Sequence, residues 1–493
     1  MEPCESVKDY IQKVDLQGVK CILIDPPRLV NPSWSDGIKK ILRFHDINPP
    51  MGLAYIAGVL REAGAKVKIL DARSLSMPHN EVLRIVEKNR PDYVGITAVT
   101  PQMKSALYLS KLIKESCLDT KIILGGPHVH FEHEAIIRES DVVDFCVRGE
   151  GELTLLELIK TLREKGKLEK VRGITFRRGK RVIVTPDRPF IKDLDSLPYP
   201  ARDLLPNHIY KYSKFGLNWT VLLAQRGCPY RCHFCSNHAM WRYQRRRSVE
   251  NVLDEIEYCR RRFHVEYIKF ADDVFVIDKK WVVEFCKGLI ERGLDDIRWA
   301  CDCRVDLLSE DILRKMAEAN CETIFFGLEF GNQRILDLCE KGFTIPQIYR
   351  AIKATKKAGI SPCGYFMIGY PTETRETIMD TINLAKDLIL NYGLDYAGFS
   401  IVTPYPGTRL YEYCKKRNIL KTCDHLLHPR EGYIEVGGKS AMILLPYPPI
   451  KLENLTDEEL IELYRKAHEE VAKAFEERRQ KLSGKSITYK SNP

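Results

Sequence analysis

The chain lacks any apolar run approaching the ~20 residues that a membrane-spanning helix needs. Its opening Met1-Glu-Pro-Cys-Glu-Ser6 lacks the basic-then-apolar order of a secretory signal. A disulfide framework is missing too: the 16 cysteines are mostly scattered singly, which suits a reducing compartment. These absences together lead to the expectation of a cytoplasmic protein. There is no G-x-G-x-x-G turn, so a nicotinamide or flavin dinucleotide is not expected.

At 493 residues the chain is too long for one ordinary core, and two or three domains are expected. Apolar content of 44% and charged content of 29% are those of a globular protein. The net charge of +10 raises nucleic acid as a partner, with Arg242-Tyr-Gln-Arg-Arg-Arg247 and Arg260-Arg-Arg262 as the sharpest clusters. The 67 acidic residues are interspersed throughout, so these arginines, Arg245–Arg247 included, read as a solvated face and nucleic acid is not expected.

The first third alternates short apolar strands with helical spacing. Strands are expected at Val19–Asp25, Val67–Asp71, Tyr93–Thr97, Lys121–Leu124 and Val142–Val147. Helices are expected at about Gly52–Ala63, Glu81–Asn89, Gln102–Glu115, His133–Glu139 and Leu153–Lys165. That alternation argues a parallel sheet covered on both faces, Rossmann-like or flavodoxin-like. Ligands of such sheets sit beyond the carboxyl ends of the strands. There the sequence places Thr97-Ala-Val-Thr100, Gly125-Gly-Pro-His128 and Arg148-Gly-Glu-Gly-Glu152. Glycines at strand ends let a large ligand approach the backbone, and threonine hydroxyls donate to amide-bearing groups.

Gly173–Thr185 around Gly179 looks like a β-hairpin, and Asp193–Asp203 is a proline-punctuated linker. Six apolar strands follow, at Thr220–Ala224, Tyr267–Ala271, Ile297–Cys301, Thr323–Leu328, Gly364–Ile368 and Ala397–Val402, each trailed by a helix-compatible segment. Six βα units read as an open, partial barrel whose strand ends carry the chemistry. Thr456-x-x-Glu459 is a capping box opening a final helix with the stripe Leu460, Tyr464, Ala467, Val471 and Phe475; Lys481–Pro493 is expected to be disordered.

Between the first of those strands and its helix lies Cys228-Pro-Tyr-Arg-Cys-His-Phe-Cys235. Thiolates are soft ligands, and three at this spacing let one loop wrap an iron–sulfur cluster. With only three, one iron of a four-iron cluster would stay open to a ligand, as in metal sites built for catalysis. No second cluster is expected, since Cys363, Cys414 and Cys423 are isolated and Cys301 and Cys303 are not expected to chelate together.

Cys228-x3-Cys232-x2-Cys235, with Phe234 before the last cysteine, resembles the signature of the radical S-adenosylmethionine (SAM) enzymes. Gly-Gly-Pro-His128, Arg-Gly-Glu-Gly-Glu152 and Pro49–Tyr55 resemble the cobalamin-binding domain that precedes the barrel in the cobalamin-dependent branch of that family. The resemblance implies a [4Fe-4S] cluster on Cys228, Cys232 and Cys235, whose open iron chelates SAM and whose electron cleaves it to a 5′-deoxyadenosyl radical. It further implies that Phe234 packs near the adenine, that Asp272 contacts the SAM ammonium and that Glu329 faces its amino group or ribose. Backbone of the segment from Phe366 to Pro371, Gly369 included, would meet adenine. Arg304 is left between the SAM carboxylate and a surface salt bridge, and Asp273 is expected to cap the helix after it. Thr97, Thr100, Gly125, Gly126, His128 and Glu150 are the implied cobalamin contacts. The Asp-x-His-x-x-Gly pattern that supplies an axial histidine in methionine-synthase-type domains is absent, which leaves the lower face of cobalt unassigned.

The expected organisation is a cobalamin-binding domain over 1–165, hairpin and linker over 166–212, radical SAM core over 213–415 and a helical extension over 416–493. The implied reaction is C-methylation of an unactivated carbon. Alternatives are radical cyclisation or rearrangement with cobalamin, or modification of tRNA or lipid. The implied partners are a small-molecule or lipid-like substrate and an external electron donor such as a ferredoxin or flavodoxin. A tRNA- or lipid-binding protein with a purely structural cluster is the rival from another class, and the open three-cysteine site argues against it.

Overall fold

The computed structural model describes residues 6–28, 47–212, 216–421, 430–436 and 439–483. The expectations about Cys423 and about residues 484–493 lie outside those residues, while Lys481 and Leu482, expected to be disordered with them, close the last helix. The chain divides into two compact units, residues 1–227 with 239–267, and residues 228–238 with 268–493.

The first unit is built on a sheet of β1 (Lys20–Asp25), β2 (Lys66–Asp71), β3 (Tyr93–Thr97), β4 (Lys121–Gly125), β5 (Phe145–Val147), β6 (Ile174–Arg178) and β7 (Arg181–Val184), in the order β2-β1-β3-β4-β5-β6-β7. The first five strands are parallel. The hairpin β6–β7 adds to the edge antiparallel to β5, with Phe145 opposite Phe176. Two cores flank the sheet. Helices Met51–Glu62 and Gly151–Arg163 contribute Leu53, Leu60, Leu156 and Ile159 to one. Helices His79–Asn89, Met103–Ser116 and Pro127–Glu139 contribute Val82, Leu109 and Ile137 to the other.

The differences from the expected elements have local causes. The expected strand Val142–Val147 is reduced to Phe145–Val147: Asp144 N–H still donates to the Ile122 carbonyl at 3.0 Å, but Ile122 N–H is taken by the Asp144 carboxylate at 2.8 Å rather than by a backbone carbonyl, and the ladder ends there. The helix expected from His133 starts at Pro127, whose missing N–H suits the first helical position.

The strands β8 (Lys211–Tyr212) and β9 (Leu217–Leu222) form a hairpin that belongs to the first unit, as does the short ladder of β10 (Gln225–Arg226) with β11 (Arg245–Arg246). The expectation of a solvated arginine face fails at Arg245 and Arg247, which are 7% and 5% exposed. Arg245 pairs with Glu150 at 2.7 Å, and Arg247 pairs with Glu255 at 2.5 Å. Glu255 also receives Arg202 at 2.6 Å. Burial alone would raise the Glu255 carboxyl, but Arg247 and Arg202 hold it below its usual range. These guanidinia are internal struts, whereas Arg242, Arg261 and Arg262 stay exposed.

In the second unit β12 (Tyr267–Phe270), β13 (Arg298–Cys303), β14 (Cys321–Glu329), β15 (Ser361–Ile368) and β16 (Tyr396–Ile401) run in sequential order, with parallel pairing from β13 to β16. Helices Lys279–Glu291, Glu310–Glu318, Ile345–Lys357 and Arg375–Asp387 follow successive strands, the βα repeat of the expected partial barrel. A hairpin of β17 (Arg430–Val436) and β18 (Lys439–Leu445) precedes the last helix, Asp457–Leu482. The capping box at Thr456 and Glu459 starts that helix, and Leu460, Tyr464, Ala467 and Val471 are buried as the stripe requires. Among the described residues, no helix is long and apolar enough to cross a membrane.

Candidate active site

The three-cysteine loop is tied down at several backbone points. His233 N–H donates to the Cys339 carbonyl at 3.0 Å, Leu410 N–H donates to the His233 carbonyl at 3.0 Å, and Cys235 N–H donates to Cys232 at 3.1 Å. The His233 ring meets the Tyr370 hydroxyl at 2.8 Å. Arg304 lies 3.6 Å from the centroid of Tyr230, which stands between the first two cysteines. Cys228 is buried, while Cys232 and Cys235 are partly exposed. Burial raises the Cys228 thiol and pushes Cys235 up to about 12, and the neighbouring cysteines add to both shifts. Such thiols ionise when a cation arrives to repay the charge. Among the described residues no three His, Cys, Asp or Glu converge on a point that would suit one ion. A cubane of four irons is larger than an ion and holds its thiolates apart, so three neighbouring but unconverged cysteines fit it.

Around the loop stand the ends of the second unit's strands. Asp272 is 1% exposed. Its neighbour Asp273 accepts a hydrogen bond from Asn237, two residues past Cys235, and its charge raises the Cys228 and Cys235 thiols. Burial and then Asp302 raise the Asp273 carboxyl to about 6. The next helix is capped by Asp278, which accepts from Lys280 and Trp281 N–H. The expectation of Asp273 as a helix cap is therefore corrected: Asp278 does that work, and Asp273 faces the cysteines.

Arg304 is 5% exposed, so the surface salt bridge once open to it is excluded; it pairs with Asp306 at 3.0 Å and donates to the Lys341 carbonyl. Glu329 sits in a left-handed conformation, φ 65°, where the register of β14 against β15 shifts. Its carboxylate meets Lys341 Nζ at 3.0 Å. Burial would lower the Lys341 ammonium, yet Glu329 and then Cys232 raise it. That ammonium lies 5.7 Å from the Phe234 ring.

Phe366 buries its ring in the core against Phe399, 5.1 Å away and nearly parallel, and its strand is paired with β14 on one side and β16 on the other. The N–H groups of Gly369 and Tyr370 both donate to one oxygen of Glu373, at 2.7 and 2.8 Å. Gly369 has φ 89°, which a side chain rarely adopts. Lys341, Asn237 and Glu373 were not singled out from sequence. Each is one charged or amide residue in a turn or helix start, and nothing in its local pattern marks it. Cys301 and Cys303, two apart on β13, share a strand face and are fully packed, so they serve the core.

In the first unit the strand ends bring Thr97, Thr100, Gly126 and His128 together. His128 Nδ1 meets Thr100 Oγ1 at 3.0 Å. A Cβ on Gly126, φ 101°, would lie 2.8 Å from both the Ala98 carbonyl and Thr97 Oγ1, so only glycine fits. At Gly125 an added Cβ would meet nothing nearer than 3.9 Å, which leaves open backbone for a ligand to approach. Glu150 stands apart from these four. Its carboxylate is taken by Arg226 at 2.9 Å, Arg245 at 2.7 Å and Ile191 N–H at 2.7 Å.

Two family models match the chain: the Radical SAM superfamily over residues 222–385 and the B12 binding domain over residues 41–159. An uncharacterized methyltransferase of Pyrococcus horikoshii, PH0819, is 36% identical over 441 residues, 89% of this chain and 91% of that protein. The anaerobic magnesium-protoporphyrin IX monomethyl ester cyclase of Rubrivivax gelatinosus is 33% identical over 372 residues, 74% of this chain and 66% of that protein. The radical SAM methyltransferase TsrM of Kitasatospora setae, solved with cobalamin and a [4Fe-4S] cluster, superposes with a TM-score of 0.67 at 18% identity, over 84% of this chain and 80% of that one. At that identity the likeness is one of fold.

Proposed function

We propose a function from the premise that this chain belongs to the cobalamin-binding radical SAM enzymes. It is an enzyme whose cofactors are a [4Fe-4S] cluster, SAM and cobalamin, and its reaction is methylation of an unactivated carbon. When bound, these groups supply a carbon-centred radical and a transferable methyl group.

The observation that carries this reading is the cysteine loop set among buried, internally neutralised charges. Cys228, Cys232 and Cys235 hold the cluster, and the partial exposure of Cys232 and Cys235 leaves one side of it open. Phe234 under Lys341 provides the apolar floor for adenine. Asp272, buried at the end of its strand, takes the cationic end of SAM, and Asp273, held by Asn237, stands beside it next to the cysteines. The Glu329–Lys341 pair lies beside the cysteines, and Glu373 fixes the backbone of Gly369 and Tyr370 at the adenine edge. Arg304 positions Tyr230, and through it the loop, since its guanidinium is already paired. In the first unit Thr97, Thr100, Gly125, Gly126 and His128 border the corrin. Glu150 acts at one remove, anchoring the turn with Arg226 and Arg245. The electron comes from a small one-electron carrier.

Incubation with SAM carrying an isotopically labelled methyl group, followed by mass spectrometry of the product, tests the reaction. Label in a new carbon–carbon bond is expected; 5′-deoxyadenosine release with no label transferred would overturn methylation. The 33% identity to the Rubrivivax cyclase favours one second reading, a cobalamin-dependent radical ring closure. That reading predicts an unlabelled product that has lost hydrogen.

A further inference from the structure

The inner face of the second unit's sheet carries a set of side chains that the cluster chemistry does not use. One comes from each of five strands: Lys269 on β12, Asp302 on β13, Phe325 on β14, Tyr365 on β15 and Tyr396 on β16. Paired residues of parallel strands share a face, and Asp302 lies opposite Phe325, Gly327 opposite Tyr365, and Tyr365 opposite Gly398. Lys269 Nζ stands 2.7 Å from Asp302 and 4.2 Å from the centre of the Phe325 ring. Phe325 stacks on Tyr365 at 5.7 Å and 12°, and Tyr365 meets Tyr396 edge-on at 6.0 Å and 76°.

Among the described residues, part of this wall is left uncovered. Tyr365 is 44% exposed and Tyr396 is 46% exposed, on a sheet whose opposite face buries Trp299, Phe326 and Phe366 almost completely. Gly327 and Gly398 flank Tyr365, and the space over them is taken by the Glu329–Lys341 pair on one side and the Tyr396 ring on the other, which together frame the exposed Tyr365 ring. A Cβ on Gly398 would come within 2.8 Å of the Tyr396 hydroxyl, which shows how closely that ring lies over the backbone. The wall is continuous with the reactive end of the barrel. Arg304 and Glu329 are two residues further along β13 and β14 than Asp302 and Gly327, about 7 Å at the rise of a strand.

We propose that this wall seats the substrate, and that the substrate is a flat, conjugated or aromatic ring system without phosphate groups. Stacked and edge-on rings extend most favourably onto another ring, because the π faces and edges carry complementary partial charge. Both lysines on this face are already neutralised, Lys269 by Asp302 at 2.7 Å and Lys341 by Glu329 at 3.0 Å, so a phosphate would be desolvated without a partner. The Tyr365 and Tyr396 hydroxyls are protonated at neutral pH, as any ordinary tyrosine is, and so offer neutral donors for a carbonyl or hydroxyl on the ring. The inference rests on the radical SAM reading, which places the hydrogen-abstracting centre at the adjoining strand ends.

The test uses the reconstituted full-length enzyme and fluorescence anisotropy of pyrene-1-methanol, a flat neutral probe, with dodecanol and adenosine 5′-monophosphate as competitors. Saturable binding is expected, weakened about tenfold in Tyr365→Ala and in Tyr396→Ala and retained in Tyr365→Phe. Unchanged iron content and circular dichroism certify that the variants fold. No saturable binding, equal affinity in wild type and both alanine variants, or displacement by dodecanol or the nucleotide at a concentration below the dissociation constant of the probe overturns the proposal. Wild-type release of 5′-deoxyadenosine under dithionite is measured in parallel. Its absence would sink the radical SAM reading, whereas its presence with an indifferent probe sinks this inference alone.

Discussion

Glu329 and Lys341 form an ion pair at 3.0 Å with side chains only 11% and 7% exposed, and the glutamate pays for its place with a left-handed backbone, φ 65°. Such a conformation costs a bulky residue of order 1 kcal/mol or more, and persists only where the surroundings dictate it. Here Gly327 supplies the room, because a Cβ at that position would collide with the Glu329 carboxylate. Lys341→Met strands a buried carboxylate and is expected to lower stability by roughly 3–5 kcal/mol. The double variant Glu329→Gln/Lys341→Met should recover much of that loss in urea denaturation. Equal stability of single and double variants would show that the pair is not coupled.

Cys232→Ala is expected to abolish iron–sulfur absorbance and SAM cleavage, while cobalamin still binds in the first unit. The two units have separate cores, so losing a ligand from the cysteine loop leaves the first sheet intact. Retained iron with full 5′-deoxyadenosine release in that variant would remove the loop from the active site.

Glu373 predicts a pH dependence. Burial pushes its carboxyl up to about 8, although the Tyr370 and Gly369 N–H groups pull it down. In the unfolded chain it ionises near 4.3. Between those values the native state holds a proton that the unfolded state has released, so this residue's contribution to stability falls as pH rises, by up to roughly 1.4 kcal/mol per unit. Glu373→Gln keeps an oxygen for both N–H groups and cannot ionise. It should gain on the wild type steadily from pH 5 to 8 in denaturant titrations. Parallel profiles for the two proteins would refute the shift.

Cobalamin is expected to bind without a protein nitrogen on cobalt. His128 is the nearest histidine by sequence to the glycine turn, and its Nδ1 already meets Thr100 Oγ1. Paramagnetic resonance of the cob(II)alamin form should show no nitrogen superhyperfine splitting. Splitting that vanished in His128→Ala would assign that ring to the metal.

The cysteine loop was legible in sequence because its ligands are consecutive in one turn and their spacing is the chemistry. Asp272 and Asp273 were legible as a pair but not in their roles. Adjacent residues leave a strand in different directions, and only the tertiary structure shows that Asn237 packs on Asp273 and that Asp278 caps the next helix. Arg245 and Arg247 misled for the same reason. A run of arginines reads as surface until Glu150 and Glu255, remote in the chain, are seen to neutralise it.

The sequence by itself determined the alternation of strands and helices, the capping box at Thr456 and the position of the cysteine turn, because hydrophobic period, caps and ligand spacing are local properties. It did not determine that the hairpin Ile174–Val184 would extend the first sheet, since an edge strand's partner is chosen by register across the fold. Nor did it determine the Glu329–Lys341 pair, the Glu373 clasp on Gly369 and Tyr370, or the aromatic wall of Phe325, Tyr365 and Tyr396. Each depends on side chains meeting across turns or across neighbouring strands. The free energy of such a meeting is set by burial and dielectric, which exist only once the chain has closed on itself.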